Sequence, residues 1–311
     1  MRGPAIRALG ILSGEEAKSA DWGSAEAGNS TQAKSADWGS AEAGNSTQAK
    51  SADWGSAGAM SGPPHMESLK KETVDRKILA LARPDRPGDR FRRATRECLL
   101  ALAAVDAMLE DGRATREAIA GDGTALLYVT AAAYGASNRE FIERRGGVMH
   151  FAYTAPAVVP AEVAIEFGVT GAYGILIGGA PSTLRAIRQA GQLLDEGRCD
   201  RVLLLVVEIF EECADLYTRH RRFTKWPLVE TAACLWLERG AGDLRFESRR
   251  DGSAAEPGRA DERLAAGPLA DLREWLDRGA AGTLELSGHW RDEHARLRWS
   301  MARSHARGSV A

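Results

Sequence analysis

The sequence predicts an α/β fold, a mainly parallel β-sheet layered with helices. Three observations carry this. The runs "ALLYVTAAA" (125–133) and "RVLLLVVEIF" (201–210) are apolar without alternation, the pattern of strands buried on both faces. Such runs alternate along the chain with segments of helical periodicity, the order that builds parallel sheets. The run "YGILI" (173–177) reaches a Gly178-Gly179 turn, and a helical pattern starts immediately after it.

Taken in order, "DRFRRATRECLLALAAVDAMLE" (89–110) places Phe91, Ala94, Cys98, Ala101, Val105 and Met108 three or four apart, an amphipathic helix closed by Asp111-Gly112. The strand at 125–133 follows, then a helix around Asn138–Arg145. "TAPAVVPAEVAIEFG" reads as a helix over 156–167, opened by Pro156 and stopped by Gly168. After the "YGILI" strand, Ser182 to Glu196 form a helix with Leu184, Ile187, Leu193 and Leu194 inward and Arg185, Arg188 and Gln192 outward. "AACLWLER" (232–239) and "DLRFESR" (243–249) read as two strands. Beyond 250 the pattern weakens to a loop, one helix in "PLADLREWLDRG", and a hairpin from "GTLELSG" and "HARLRWSM".

The N-terminal region reads differently. "AKSADWGSAEAGNSTQ" occupies 17–32, recurs letter for letter at 33–48 and begins again at 49. A unit this polar, with one Trp, has no apolar face to stack, so residues 1–65 are expected to be disordered low-complexity repeats. The repeat's perfect identity suggests a recent duplication and a start at Met60 or Met66. Residues 66–250 then form the main domain and 251–311 a tail of loop, helix and hairpin.

Composition excludes several classes. Residues 66–311 carry as many acidic as basic side chains, and no aromatic-interleaved basic face points to nucleic acid. No run approaches the ~18 apolar residues of a membrane span, and "MRGPAIRALGILSGEEAK" lacks the apolar core of a secretory signal. A cytoplasmic protein is expected. Cys98, Cys199, Cys213 and Cys234 show no paired spacing, and His289 and His294 have no ligand-like neighbours, so neither metal nor cofactor is expected. Lone His150 and His220 read as structural or surface residues.

The turn at 178 is built as an elbow where enzymes place a nucleophile, because a helix N-terminus offers free N–H groups and a favourable dipole. Its residues are Gly178, Gly179, Ala180, Pro181 and Ser182. A phosphate cradle is the less favoured reading, since neither glycine-rich phosphate motif is present. Ser182 is a candidate substitute nucleophile, although a serine there is more often a helix cap. Cys98 and Cys199 read as inert buried thiols, and Cys213 lacks an activating His motif. Glu208, ending a buried strand, is either a cleft residue or a carboxylate that satisfies loop N–H groups.

The order of these segments over about 85–245 resembles the N-terminal half of a β-ketoacyl synthase, a thiolase-fold enzyme. The resemblance rests on the "DRFRRATRECLLALAAVDAML" helix, the "PAVVPAEVAIEFGVTGA" helix and turn, "GILIGGAPSTLRAIRQAGQLLDEGRCDRVLLLVVE", and "LVETAACLWLERG". It implies that the acyl-accepting cysteine's position is held by Ala180, which has nothing to activate. Pro181 also removes one N–H from the helix start. Too little chain follows to supply the second half with its decarboxylating basic residues, and "SGHWRDEHARL" does not resemble those motifs. No catalytic residue is therefore expected.

The resemblance further implies a dimer interface beside the nucleophile strand, here Tyr173, Ile175, Leu176 and Ile177. The function it points to is an inactive subunit of chain-length-factor type, as in aryl polyene and polyketide systems. Such a subunit pairs with a full-length β-ketoacyl synthase and shapes its acyl tunnel. Known chain-length factors often carry Gln at the nucleophile position, and Ala180 departs from that. Arg219, Arg221, Arg222 and Lys225 in "RHRRFTKW" are a candidate contact for an acidic acyl carrier protein, or else a solvated loop beside one core aromatic. The alternative function is a free-standing thiolase-like scaffold that binds an acyl chain or carrier protein. A third is an enzyme using Ser182 or a cysteine. Half of a pseudo-symmetric fold is also expected to leave one sheet face uncovered, making a 66–311 fragment unstable or self-associating.

Overall fold

The chain opens with a strand. In the computed structural model, which describes residues 1–16, 78–88, 91, 94–131, 155–209, 228–250, 263–279 and 282–300, β1 (Arg2–Ser13) buries Ala8 and Leu9 and is followed by the short β2 (Glu15–Glu16). This corrects the expectation of disorder for residues 1–16. A chain begun at Met60 or Met66 would lack a strand of the main sheet. The run "IRALGIL" has a length that suits a strand.

The repeats themselves lie outside the described residues. What is described is where they leave and return. Glu15 and Glu16 of β2 pair antiparallel with Ala80 and Leu79 of β3 (Ile78–Ala80). The insertion therefore closes on itself at a hydrogen-bonded stem. Since loop-closure entropy varies only logarithmically with length, deleting residues 17–32 is expected to change stability by about a few tenths of a kcal/mol. A thermal melt checks this, and a large fall in Tm would show that the repeats pack into the fold.

Helix α1 (Arg96–Asp111) is capped by Thr95, whose side chain accepts from Cys98 N–H. It starts later than the periodicity from Asp89 suggests, because a Thr cap outcompetes weak apolar spacing across an Arg-rich stretch. Cys98, Ala101, Val105 and Met108 are buried as expected. The strand β4 (Thr124–Thr130) is buried along its whole length. Next come α2 (Val158–Phe167), closed by Gly168 in a left-handed conformation (φ 67°), then β5 (Tyr173–Ile177), α3 (Ala180–Asp195) and β6 (Arg201–Glu208). The helix expected around 138–145 lies outside the described residues.

Strands β5, β4 and β6 pair in parallel in that spatial order. The rest of the sheet is antiparallel. After the short β7 (Leu228–Val229) comes β8 (Thr231–Arg250), in which the two strands expected at 232–239 and 243–249 are one continuous element. Its first part lies between β6 and β1, with Leu235 opposite both Leu204 and Leu9. Its second part pairs with β10 (Glu293–Ser300), which forms a hairpin with β9 (Thr283–Trp290). Ahead of that hairpin runs α4 (Gly267–Asp277).

The sheet is covered on both sides. One core holds α1 and α2 against Leu126, Tyr128, Leu203 and Leu205; the other holds α3 and α4 against Leu127, Leu204, Leu235, Leu286, Leu297 and Trp299. The expected bare face is absent, because the tail supplies its cover. Arg185, read from sequence as outward, is paired with Glu293 of β10, and Arg188 lies 5.5 Å from the Phe246 ring centroid. The far side of α3 thus packs against the hairpin layer.

Candidate functional site

The elbow joins β5 to α3. Gly178 has φ 151° and its N–H donates to Thr130 O at 2.9 Å, holding the turn onto the end of β4. Gly179 is the N-cap of α3 and adopts extended backbone, with Ala180 and Pro181 opening the helix. Ala180 is completely buried. Its N–H donates to Arg263 O at 3.0 Å, and Ser182 N–H donates to Gly179 O at 2.9 Å. With Pro181 lacking an N–H, positions 180–182 keep no free backbone N–H for a developing negative charge.

Space is closed as well. A Cβ added to Gly288 of β9 would lie 2.6 Å from the Ala180 Cβ. One added to Gly179 would strike the Trp290 ring and lie 2.6 Å from Arg263 O. The hairpin and the segment before α4 therefore sit directly on the elbow. Gly288 and Trp290 were not singled out from sequence, although a glycine inside a strand pattern, as in "LELSGHW", is a signal for close backbone approach. Nothing local marks Arg263, whose role depends on contacts over 80 residues away.

Glu208 is a buried acid beside this arrangement. Its Oε1 accepts from Ala265 N–H at 2.8 Å and its Oε2 from Ala266 N–H at 3.2 Å. Of the two readings of Glu208, the structure places it as the carboxylate that satisfies loop N–H groups. Burial pushes it up to about 7, against the opposing pull of those two hydrogen bonds.

The remaining candidates separate clearly. Ser182 is buried, with its hydroxyl 3.5 Å from Ile177 O, the geometry of a first-turn residue. Burial pushes the Cys98 thiol up to about 12 despite its bond with Thr95, and burial raises Cys199 and Cys234 too. None is poised as a thiolate. His289 and His294 face each other across the β9–β10 ladder with stacked rings, centroids 3.9 Å apart. Among the described residues no group of three or more metal-ligating side chains forms. Arg219, Arg221, Arg222 and Lys225, like Cys213, His150 and His220, lie outside the described residues.

Among the described residues, strand β5 is an edge of the sheet. Ile175 packs toward the α1/α2 core and Leu176 toward the α3 core, whereas Tyr173 and Ile177 are 69% and 57% exposed. The four residues expected at an interface are thus together on an open edge. No helix among the described residues is long and apolar enough to cross a membrane.

A mixed sheet with an open-edged parallel part, and an elbow between its edge strand and a buried helix, defines a thiolase-like fold. Residues 85–219 match the family model of the β-ketoacyl synthase N-terminal domain. Over that segment the chain is similar to the β-ketoacyl synthase N-terminal domain. Among solved structures it is similar to the ishigamide ketosynthase/chain length factor, with a TM-score of 0.60 at 14% identity over 72% of this chain and 87% of that one. It is similar also to the ketosynthase ApeO in complex with its chain length factor ApeC from Xenorhabdus doucetiae (TM-score 0.51, 16% identity, 71% of this chain and 83% of that one). A third likeness is to AntDE:AntF, a type II polyketide synthase acyl-carrier protein in complex with its ketosynthase (TM-score 0.56, 13% identity, 72% and 88%). Among curated proteins none matches.

Proposed function

We propose that the chain is a catalytically inactive ketosynthase-like subunit of chain-length-factor type. It pairs with a full-length β-ketoacyl synthase and shapes that enzyme's acyl tunnel in polyene, polyketide or fatty-acid-like biosynthesis. The observation that carries the reading is a contrast within a few residues. The elbow is sealed around an alanine, while the edge strand leading to it stays open and apolar at Tyr173 and Ile177. An exposed apolar edge is a hazard that proteins normally cover. The likeness to ketosynthase/chain length factor complexes supports the same reading, as does the burial of Cys98, Cys199, Cys234 and Ser182 among the described residues.

The test is co-expression of the full chain with a full-length ketosynthase encoded beside it, followed by purification on one tag and light scattering. A one-to-one complex is expected. Ile177→Asp places a charge on the exposed edge, where it costs the free subunit little, and is expected to weaken the complex at least ~100-fold through the unpaired charge it would bury. A chain that stays alone with every such partner, and is soluble as a monomer, would leave the free-standing scaffold as the better account. Carrier-protein docking through Arg219, Arg221, Arg222 and Lys225 belongs to the same proposal. Replacing all four with Ala is expected to abolish any cross-link to a carrier protein while leaving the ketosynthase complex intact.

A further inference from the structure

We infer that residues 263–266 are an internal plug that holds the elbow shut, so that inactivity is built into the packing and does not depend on the missing thiol alone. The inference takes 178–182 as the elbow, in line with the reading above, and is independent of which partner the chain binds.

The plug occupies the elbow chemically. In an acyl-transferring site the N–H at the nucleophile position is free to stabilise an oxyanion. Here Ala180 N–H already donates to a peptide carbonyl, Arg263 O, at 3.0 Å. A neutral carbonyl oxygen stands where charge would have to develop, and the neighbouring positions hold a proline and an amide tied back to Gly179.

Four elements pin the plug. From α3, the Thr183 hydroxyl donates to Ala265 O at 2.6 Å. At the end of β6, the Glu208 carboxylate takes both Ala265 and Ala266 N–H groups. On β9, His289 O accepts from Arg263 N–H at 3.0 Å. In α4, Asp271 binds the Arg263 guanidinium, with one bond of 2.8 Å. Ala265 is itself wholly buried and Ala266 nearly so. A segment anchored from four sides with its backbone groups paired opens only with much of the fold around it. It is a fixed part of the core and not a swinging lid.

Restoring a thiol should therefore not restore a site. In Ala180→Cys the Cβ that carries the sulfur lies against Gly288, the N–H of the same residue is held by the plug, and burial disfavours a thiolate there. The experiment is site-resolved alkylation with iodoacetamide, read by peptide mass spectrometry on the full chain. Ala180→Cys is compared with Ser287→Cys, placed at an exposed position on the outer face of the same hairpin. The thiol introduced at position 180 is expected to react at least ~100-fold more slowly than the one at position 287. Loosening the plug with Thr183→Val in the Ala180→Cys background should raise that rate. Labelling at position 180 as fast as at position 287, in a protein of unchanged Tm, would overturn the plug.

Should Ala180→Cys fail to fold, hydrogen exchange on the unmodified chain decides instead. Ala180 N–H should exchange as slowly as the amides of mid-α3. Fast exchange there would mean the Arg263 contact is transient and the elbow opens. Neither result depends on complex formation, so failure of the plug and failure of the partner reading remain separate.

Discussion

A chain begun at Met66 is expected to give no cooperatively folded product. The loss would come from β1, which pairs with β8 from Arg2 opposite Asp243 to Ser13 opposite Thr231. Its Leu9 is wholly buried against the α3 core, and Ile6 and Ile11 pack on the same cluster. A fully buried side chain such as Leu9 contributes about 1.5–3 kcal/mol and the half-buried Ile6 and Ile11 less, against a total stability of about 5–15 kcal/mol for a typical domain. The loss of all three, with the whole edge of β8 unpaired, would consume most of that margin. The exposed stretch of β8 would be "AACLWL", Ala232 to Leu237, every residue of it buried in the intact fold and an open apolar template for aggregation. Expression of 66–311 should give insoluble or non-cooperatively melting material. Joining residues 1–16 to 76–311 through a short Gly/Ser turn, which keeps β1 and drops the repeats, should melt like the full chain. If 66–311 alone melts as the full chain does, the account of β1 is wrong.

Instability of the 66–311 fragment was also expected from sequence, but for a bare sheet face that the structure does not have. The difference is instructive. Patterns that depend only on neighbours in the chain were legible: the unbroken apolar runs of β4 and β6, the alternation in "LELSGHW" and "HARLRWS" that makes the closing hairpin, and the Gly168 stop. The strand, turn and helix around Ala180 were legible too, because they are contiguous. What was not legible depends on distant partners. A short apolar strand next to a low-complexity tract looks like part of it until β8 is seen to need a neighbour on its second edge. The continuity of β8 through "ERGAGD" is hidden in the sequence because Gly240 and Gly242 interrupt the strand pattern. Only the structure shows that an added Cβ at Gly240 would lie 2.5 Å from Gly3 O, a close approach to β1. The tail's role as cover for α3 rests on Arg263, Gly288 and Trp290, and no local pattern announces it.

The acid at the end of β6 turns this cover into a measurable pH dependence. Glu208 is held up to about 7 in the folded chain by burial, against an ordinary value of 4.5. Below pH 4.5 the group is protonated whether folded or not, and its full stabilising difference is present. Between 4.5 and 7 the unfolded chain has lost the proton and the folded chain keeps it, so stability falls as pH rises. Above 7 both forms are ionised and the contribution no longer changes. The span corresponds to about 3 kcal/mol. The ionised carboxylate still receives the Ala265 and Ala266 N–H groups and sits at the start of α4, where the helix dipole favours negative charge, so the fold persists above pH 7 with a smaller margin.

Glu208→Gln removes the titration. One amide oxygen can accept from Ala265, but the amide nitrogen then faces the Ala266 N–H, which is left without an acceptor at a cost of about 1–3 kcal/mol. Denaturant melts of both proteins between pH 5 and pH 8 separate these effects. The native chain's advantage over Glu208→Gln should be largest at pH 5 and shrink by pH 8. An advantage that instead grows with pH would mean the folded state favours the carboxylate, as an open, water-filled cleft at Glu208 would. Glu208→Ala, which orphans both N–H groups and frees the 265–266 segment from β6, should be the more damaging change at every pH, because it removes the anchor as well as the charge.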